Sequence, residues 1–137
     1  MARLIDSSVF ITLERRGSPI GALANVTPAR DEFVALAAIT ASELLTGVEQ
    51  ADSQDRRATR QAFVESVLSL MPVLPFDLRA ARMHARLWAE LAARGLPTGA
   101  HDLMIAATAM ARGYGILTDN LRDFMNIPGL DVQQPDW

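Results

Sequence analysis

Apolar positions along the chain fall into short runs and longer helical stripes that take turns. Arg3-Leu4-Ile5 is a brief apolar run, broken by Asp6-Ser7-Ser8. Val9-Phe10-Ile11-Thr12-Leu13-Glu14-Arg15-Arg16 follows with helical spacing. This predicts a strand, then Asp6, then a helix capped by Ser7 or Ser8. Gly17, Pro19, Gly21, Asn25 and Pro28 mark a loop or broken helix. Asp31 and Glu32 open the next segment, and residues 34–39 read as a second strand. Thr40-Ala41-Ser42-Glu43-Leu44-Leu45 then starts a helix that continues through Gly47, Val48 and Ala51.

Residues 52–71 are polar at first, then amphipathic, with Phe63, Val64, Val67, Leu68 and Leu70 on the predicted inner face. Arg56, Arg57 and Arg60 lie on the solvated part. Pro72 ends this helix, and Val73-Leu74 between two prolines is a short strand near a sheet edge. Asp77 caps the next helix and Gly95 stops it. Its expected buried stripe is Leu78, Ala81, Ala85, Leu87, Trp88, Leu91 and Ala92, with His84 packing beside it. Asp102 falls just inside another helix, an alanine-rich one stopped by Gly113 and Gly115. Ile116-Leu117 is a short buried strand, and residues 130–132 supply a last one. Alternation of this kind predicts an α/β fold. Its core is a central, mostly parallel sheet of four to five short strands with helices on both faces, in one domain over residues 1–137.

Composition narrows the class. The chain has 137 residues, half of them hydrophobic, which suits one globular domain with a substantial core. Charges interrupt every apolar run short of a membrane span. The first residues, with Asp6 and Glu14 among them, do not read as a signal peptide. There is no cysteine, hence no disulfide, thiol nucleophile or thiolate metal site. A cytoplasmic protein is the expectation. The net charge of −3 argues against nucleic-acid binding by bulk positive charge. All thirteen basic residues are arginine. Arginine suits bidentate phosphate contacts, and a GC-rich coding bias accounts for the same fact.

The acidic residues change the picture more. In an open α/β sheet, ligands gather where strand C-termini meet helix N-termini. Asp6 follows the first strand, Glu43 lies in the first turn after the second, and Asp102 opens a helix. Thr118, Asp119 and Asn120 follow the fourth strand, with Asp123 one turn on. Two readings of Glu43 stand side by side, because Thr40 and Glu43 also have capping-box spacing. Asp6 alone reads equally as a helix cap. Carboxylates brought together repel and take up protons unless a cation neutralises them. Hard oxygen donors without cysteine or paired histidines favour Mg²⁺ or Mn²⁺. Such a site activates water and stabilises charge on a phosphate. His101, beside Asp102, is a weaker prospect as a base.

The segments IDSS, ITASELLTG, GAHDLMIAATAMARG and LTDNLRDF, in this order and spacing, resemble the signature blocks of PIN-domain ribonucleases, and within them the VapC toxins of bacterial toxin–antitoxin pairs. The resemblance runs over nearly the whole chain. It implies a Mg²⁺-dependent endoribonuclease in which Asp6 and Asp102 hold the metal and Glu43 and Asp123 complete its surroundings. Ser8 and Thr118 match hydroxyl positions that support the carboxylates. Asp119 stands where many relatives carry another residue, so the fourth ligand is open among Asp119, Asn120 and Asp123. Attack by water would leave a 5′-phosphate and a 3′-hydroxyl. The resemblance also implies a VapB-type antitoxin that covers the acidic groove and offers it an arginine, an RNA substrate, a homodimer that pairs again through the antitoxin, and no membrane partner. Arg15, Arg16, Arg79, Arg82, Arg86 and Arg122 are expected to meet RNA phosphates or form salt bridges. The competing readings are a PIN nuclease of RNA processing without an antitoxin, and a non-catalytic α/β binding module.

Overall fold

The computed structural model describes residues 2–27 and 32–137. Five strands are present among these residues: β1 (Ala2–Ile5), β2 (Phe33–Ala37), β3 (Val73–Leu74), β4 (Gly115–Leu117) and β5 (Val132–Gln133). The helices are α1 (Ser7–Arg15), α2 (Leu23–Val26), α3 (Ala38–Glu49), α4 (Gln54–Leu70), α5 (Leu78–Arg94), α6 (Ala100–Met110) and α7 (Leu121–Phe124). A 3-10 turn over Ile20–Ala22 precedes α2. The strands form one sheet in the order β3-β2-β1-β4-β5, and every pairing is parallel.

Parallel strands joined by helical crossovers are covered on both faces. Alternation along each strand therefore feeds two cores. Ile5, Leu36 and Leu117 join Val9, Phe10 and Leu13 of α1, Leu44 and Val48 of α3, and Val64 and Val67 of α4. Leu4, Ala35 and Ile116 face the other way, toward Leu87 and Leu91 of α5, Leu103 and Ile105 of α6, and Phe124 of α7. From β1 the chain builds outward through β2 and β3, then returns to the other side of β1 as β4 and β5. The direction of winding thus reverses between β1 and β4, and the C-terminal ends of these two strands open the crevice where such sheets take ligands.

Several local expectations are corrected. β2 ends at Ala37, so Ile39 belongs to α3, and Thr40 is a fully buried residue inside that helix. The capping box with Glu43 does not form, because the helix starts too early for it; Ala37 is the cap residue. Glu43 accordingly lies in the second turn rather than the first. Neither Ser7 nor Ser8 caps α1; both are helical, and Asp6 occupies the cap position without a side-chain cap bond. Segment 17–28 holds the 3-10 turn and α2, although Pro28 lies outside the described residues, as does Asp31. The last strand is Val132–Gln133, two residues later than expected at its start.

The stripe expected to be buried on α5 is buried only in part. Ala80, Leu87 and Leu91 are its buried residues, whereas Leu78 is 66% and Trp88 59% exposed, and Ala85 and Ala92 are exposed too. The helix is apolar on two faces, and only one of them is buried, packed chiefly on α6. Leu70 of α4 is likewise exposed. His84 packs edge-on against Phe76 and beside Trp88, as a packing residue should. The Asp77 cap holds, its carboxylate accepting from the Ala80 amide at 3.0 Å, and Gly95 ends α5 with φ of 65°. No helix among the described residues is long and apolar enough to cross a membrane.

Candidate active site

β1 and β4 run in register with Ile5 opposite Leu117. The next residues, Asp6 and Thr118, therefore leave the sheet side by side, with the Asp6 amide donating to the Leu117 carbonyl at 2.9 Å. Asp6 is only 5% exposed and Thr118 is fully buried. The hydroxyls of Ser8 and Thr118 each donate to Oδ2 of Asp6 at 2.8 Å. These bonds fix the orientation of the carboxylate. They leave Oδ1 without a donor among the described residues.

Two further carboxylates come from helices on opposite faces of the sheet, one from the first turn of α6 and one from the second turn of α3. Asp102 stands in the first turn of α6, where amide dipoles favour negative charge. Gly99 allows it that place: a Cβ at position 99 would lie 2.9 Å from Asp102 Oδ2. Glu43 arrives from α3. Its Oε1 is buried with no hydrogen-bond partner, and its Oε2 lies 3.5 Å from Nδ1 of His101. An unpaired buried carboxylate oxygen is costly and calls for a partner.

The proton affinities register the crowding. Burial pushes the Asp102 carboxyl up to about 6, and the charges of Asp6, Asp123 and Glu43 add to the rise, while His101 opposes it. Burial and the charge of Asp6 also raise Glu43, against the hydrogen bond from His101. Asp102 is thus the point on which the other three acids act. Asp119 is not among them. Its Oδ2 accepts from Thr12 at 2.5 Å and its Oδ1 from the Trp137 indole at 2.6 Å. Asn120 is exposed at the start of α7, its amide donating to Thr118 Oγ1 at 3.0 Å.

This donor set fits a hard divalent cation. It is all oxygen, it holds the unpartnered Glu43 Oε1, and its members repel one another as they stand. Among the described residues no three acids or imidazoles already close on one point that could hold an ion. Mutually repelling carboxylates settle apart until a cation offsets their charge. A cleft of about 410 Å³ runs from Ser7, Phe10 and Arg15 past Glu43 to Arg60 and Phe63. A second, of about 630 Å³, is lined by Asp119, Asn120, Arg122 and Asp123.

The profile of the PIN domain matches residues 3–130. The chain belongs to the PIN-domain family. Ribonuclease VapC1 of Rickettsia felis is 36% identical to this PIN domain over 132 residues, 96% of this chain and 95% of the relative. The tRNA(fMet)-specific endonuclease VapC of Salmonella typhimurium is 34% identical over 135 residues, 98% and 96% of the two chains. Among solved structures, VapBC-5 of Mycobacterium tuberculosis, a member of the VapBC family of toxin–antitoxin systems, superposes with a TM-score of 0.75 at 38% identity, covering 97% and 96% of the two chains.

Within this PIN domain the expected arginines divide. Arg15 lines the first cleft and Arg122 the second. Arg16 lies over the Trp137 ring, 4.6 Å from its centre, and Arg79 donates to the Ala111 carbonyl. Arg82 and Arg86 are exposed on α5, away from the buried side of that helix. The sequence reading missed Thr12 and Trp137. Thr12 sits one turn after Ser8 on α1, so helical spacing alone could have placed it on the same side. Trp137 lies in a polar segment with no period to read.

Proposed function

We propose that this PIN domain is a Mg²⁺-dependent endoribonuclease, with Mn²⁺ as a substitute, and the toxin of a toxin–antitoxin pair in the cytoplasm. Residues 1–137 act as one such domain. The reading is supported by Asp6 leaving β1 beside β4, by the unpaired buried oxygen of Glu43, and by the charges of Asp6, Asp123 and Glu43 acting on Asp102, although these acids do not yet close on one point. Asp6 and Asp102 hold the metal, and Glu43 and Asp123 complete its surroundings. The bound cation lowers the pKa of water and stabilises charge on the scissile phosphate. The chain's own groups do the rest. Ser8 and Thr118 hold Asp6 by one oxygen and leave the other for the metal. Glu43 turns its unpaired oxygen to the attacking water and orients it. Arg15 and Arg122 offer the RNA backbone positive charge on either side of the acids. Water attack in line leaves a 5′-phosphate and a 3′-hydroxyl.

The partner is a VapB-type antitoxin whose C-terminal segment covers the acidic groove and brings an arginine to it. The toxin forms a homodimer that pairs again through the antitoxin. Support comes from the VapBC-5 complex and from relatives named as ribonucleases along nearly their full length. The Salmonella relative's name makes transfer RNA the first substrate to try.

The test is induction of the wild-type chain beside Asp6→Asn and Asp102→Asn in a bacterial host, with new RNA 5′ ends mapped by sequencing. Growth arrest and discrete new ends are expected from the wild type only, with both variants folded. Arrest by either variant would remove that residue from the site. No cleavage by the folded, metal-supplied wild type would overturn the nuclease reading.

A further inference from the structure

We propose that Trp137 and Thr12 clamp Asp119 and so position the loop between β4 and α7, which makes Asp119 a brace of the metal site rather than one of its ligands. The proposal rests on the metal-dependent reading above and assigns positioning roles to three residues. Both oxygens of Asp119 are taken. Thr12 of α1 donates to Oδ2 and the Trp137 indole to Oδ1. The indole is itself held by the Arg16 guanidinium over its ring, an attraction between a cation and the ring quadrupole. The segment carrying Trp137 is tied down independently: the Gln133 carbonyl accepts from the Thr118 amide at 3.0 Å, and the Asp136 amide donates to the Val26 carbonyl at 2.7 Å. Pro135 between them is buried.

What the clamp holds matters for Asp6 and Asp123. Asp119 directly follows Thr118, whose hydroxyl donates to Asp6, and the Asp119 amide itself donates to Ser8 Oγ at 3.1 Å. α7, with Asp123, begins two residues later. Each oxygen of Asp119 is engaged by a donor, one from α1 and one from the C-terminal residue, whereas Asp6 keeps one oxygen with no donor among the described residues. Loss of the indole N–H frees this loop on one side, and the partners of Asp6 and the place of Asp123 loosen with it. Residues that orient metal ligands through such bonds typically change affinity by about 10- to 100-fold when removed.

The experiment compares wild type with Trp137→Phe, Thr12→Val, Asp119→Ala and Asp119→Asn. Trp137→Phe keeps a ring for Arg16 and deletes only the donor. Amide hydrogen exchange is measured on the metal-free proteins, and Mn²⁺ affinity by calorimetry. Trp137→Phe, Thr12→Val and Asp119→Ala are expected to speed exchange at residues 118–123 and leave the core amides unchanged. They weaken Mn²⁺ binding by about tenfold. Asp119→Asn retains an acceptor for the indole and binds Mn²⁺ within about twofold of wild type. Equal losses in Asp119→Asn and Asp119→Ala would make Asp119 a ligand and overturn the proposal. Unchanged exchange in Trp137→Phe would overturn it as well. A wild type that binds no Mn²⁺ would sink the metal reading instead, while the exchange data still decide the clamp.

Discussion

Ser8 and Thr118, 110 residues apart in sequence, meet at 3.2 Å and donate to the same oxygen of Asp6. One hydroxyl comes from the helix after β1 and the other from the end of β4, so the carboxylate is held from both sides of the crevice. Thr118 Oγ1 also accepts from the Asn120 amide. Thr118→Val therefore removes a donor to a buried charge and strands an amide. It is expected to lower stability by about 2 kcal/mol, within the range for a hydrogen bond to a charged group. Ser8→Ala should cost less, since the hydroxyl is only partly buried. Because the two share a partner and touch, the double variant should depart from additivity. Urea unfolding of the four proteins measures this, and strict additivity would mean that the hydroxyls act independently.

Asp102 makes stability depend on pH in a stated direction. Its carboxyl titrates near 6 in the folded protein, above its ordinary value of 3.8. The folded state therefore holds the proton more tightly than the unfolded one. The stability gained in this way is complete below about pH 4, by the unfolded value, and is lost as pH rises through about 6. Glu43 shifts in the same direction. Asp102 and Glu43 should thus make the metal-free protein less stable at pH 7.5 than at pH 5. Asp102→Asn should raise the melting temperature at pH 7.5 and change it little at pH 4. Mg²⁺ should stabilise wild type at pH 7.5 and lose its effect toward pH 5, where protons compete for the same oxygens. Calorimetric melts across this range decide it; an Asp102→Asn protein no more stable than wild type at pH 7.5 would deny that burial and neighbouring charge penalise the ionised Asp102.

The two faces of α5 give a prediction of a different kind. Leu91 is 3% exposed in the core shared with α6, whereas Leu78 is 66% exposed. Leu91→Ala is expected to cost about 2–5 kcal/mol, the range for a buried leucine. Leu78→Ala should stay within about 0.5 kcal/mol in the isolated protein, as surface changes do. Chemical denaturation separates these by a margin well above error. A large loss at Leu78 would show that this face is covered in solution.

That contrast also shows where the sequence is legible and where it stops. The element order and the parallel sheet follow from alternating short apolar runs and helical stripes, and the structure has the same order. Asp6 and Asp102 were readable as residues at a strand end and a helix start. The start of α3 was not, because Ala37-Ala38-Ile39 suits a buried strand and a buried helix alike. Which α5 stripe is buried was hidden for a related reason: both are apolar, and only tertiary packing chooses between them. The part played by Asp119 was out of reach altogether. Its carboxylate looks like one more ligand until its two donors, Thr12 and Trp137, are in view, and neither belongs to a periodic pattern that points at it.

Gly115 and Arg3 carry the last prediction. Arg3 is 1% exposed in β1, and its guanidinium binds Glu32 at 2.8 Å and Asp131 at 2.9 Å. The Glu32 side chain is almost as buried, so Arg3→Met strands a charge and is expected to cost about 3 kcal/mol. A Cβ on Gly115 would lie 2.5 Å from Arg3 Nη1 and 2.9 Å from the Asp131 carbonyl oxygen. Neither neighbour yields easily: the guanidinium is pinned by its carboxylates, and the Asp131 carbonyl accepts from the Ile116 amide at 2.8 Å. Gly115→Ala is therefore expected to cost about 2 kcal/mol as overpacking. With Arg3 replaced, half of that clash is gone, so Gly115→Ala should cost less in the Arg3→Met background than in wild type. Urea unfolding of both singles and the double variant tests the pair. Equal costs in the two backgrounds would place the strain at the backbone and not at the arginine.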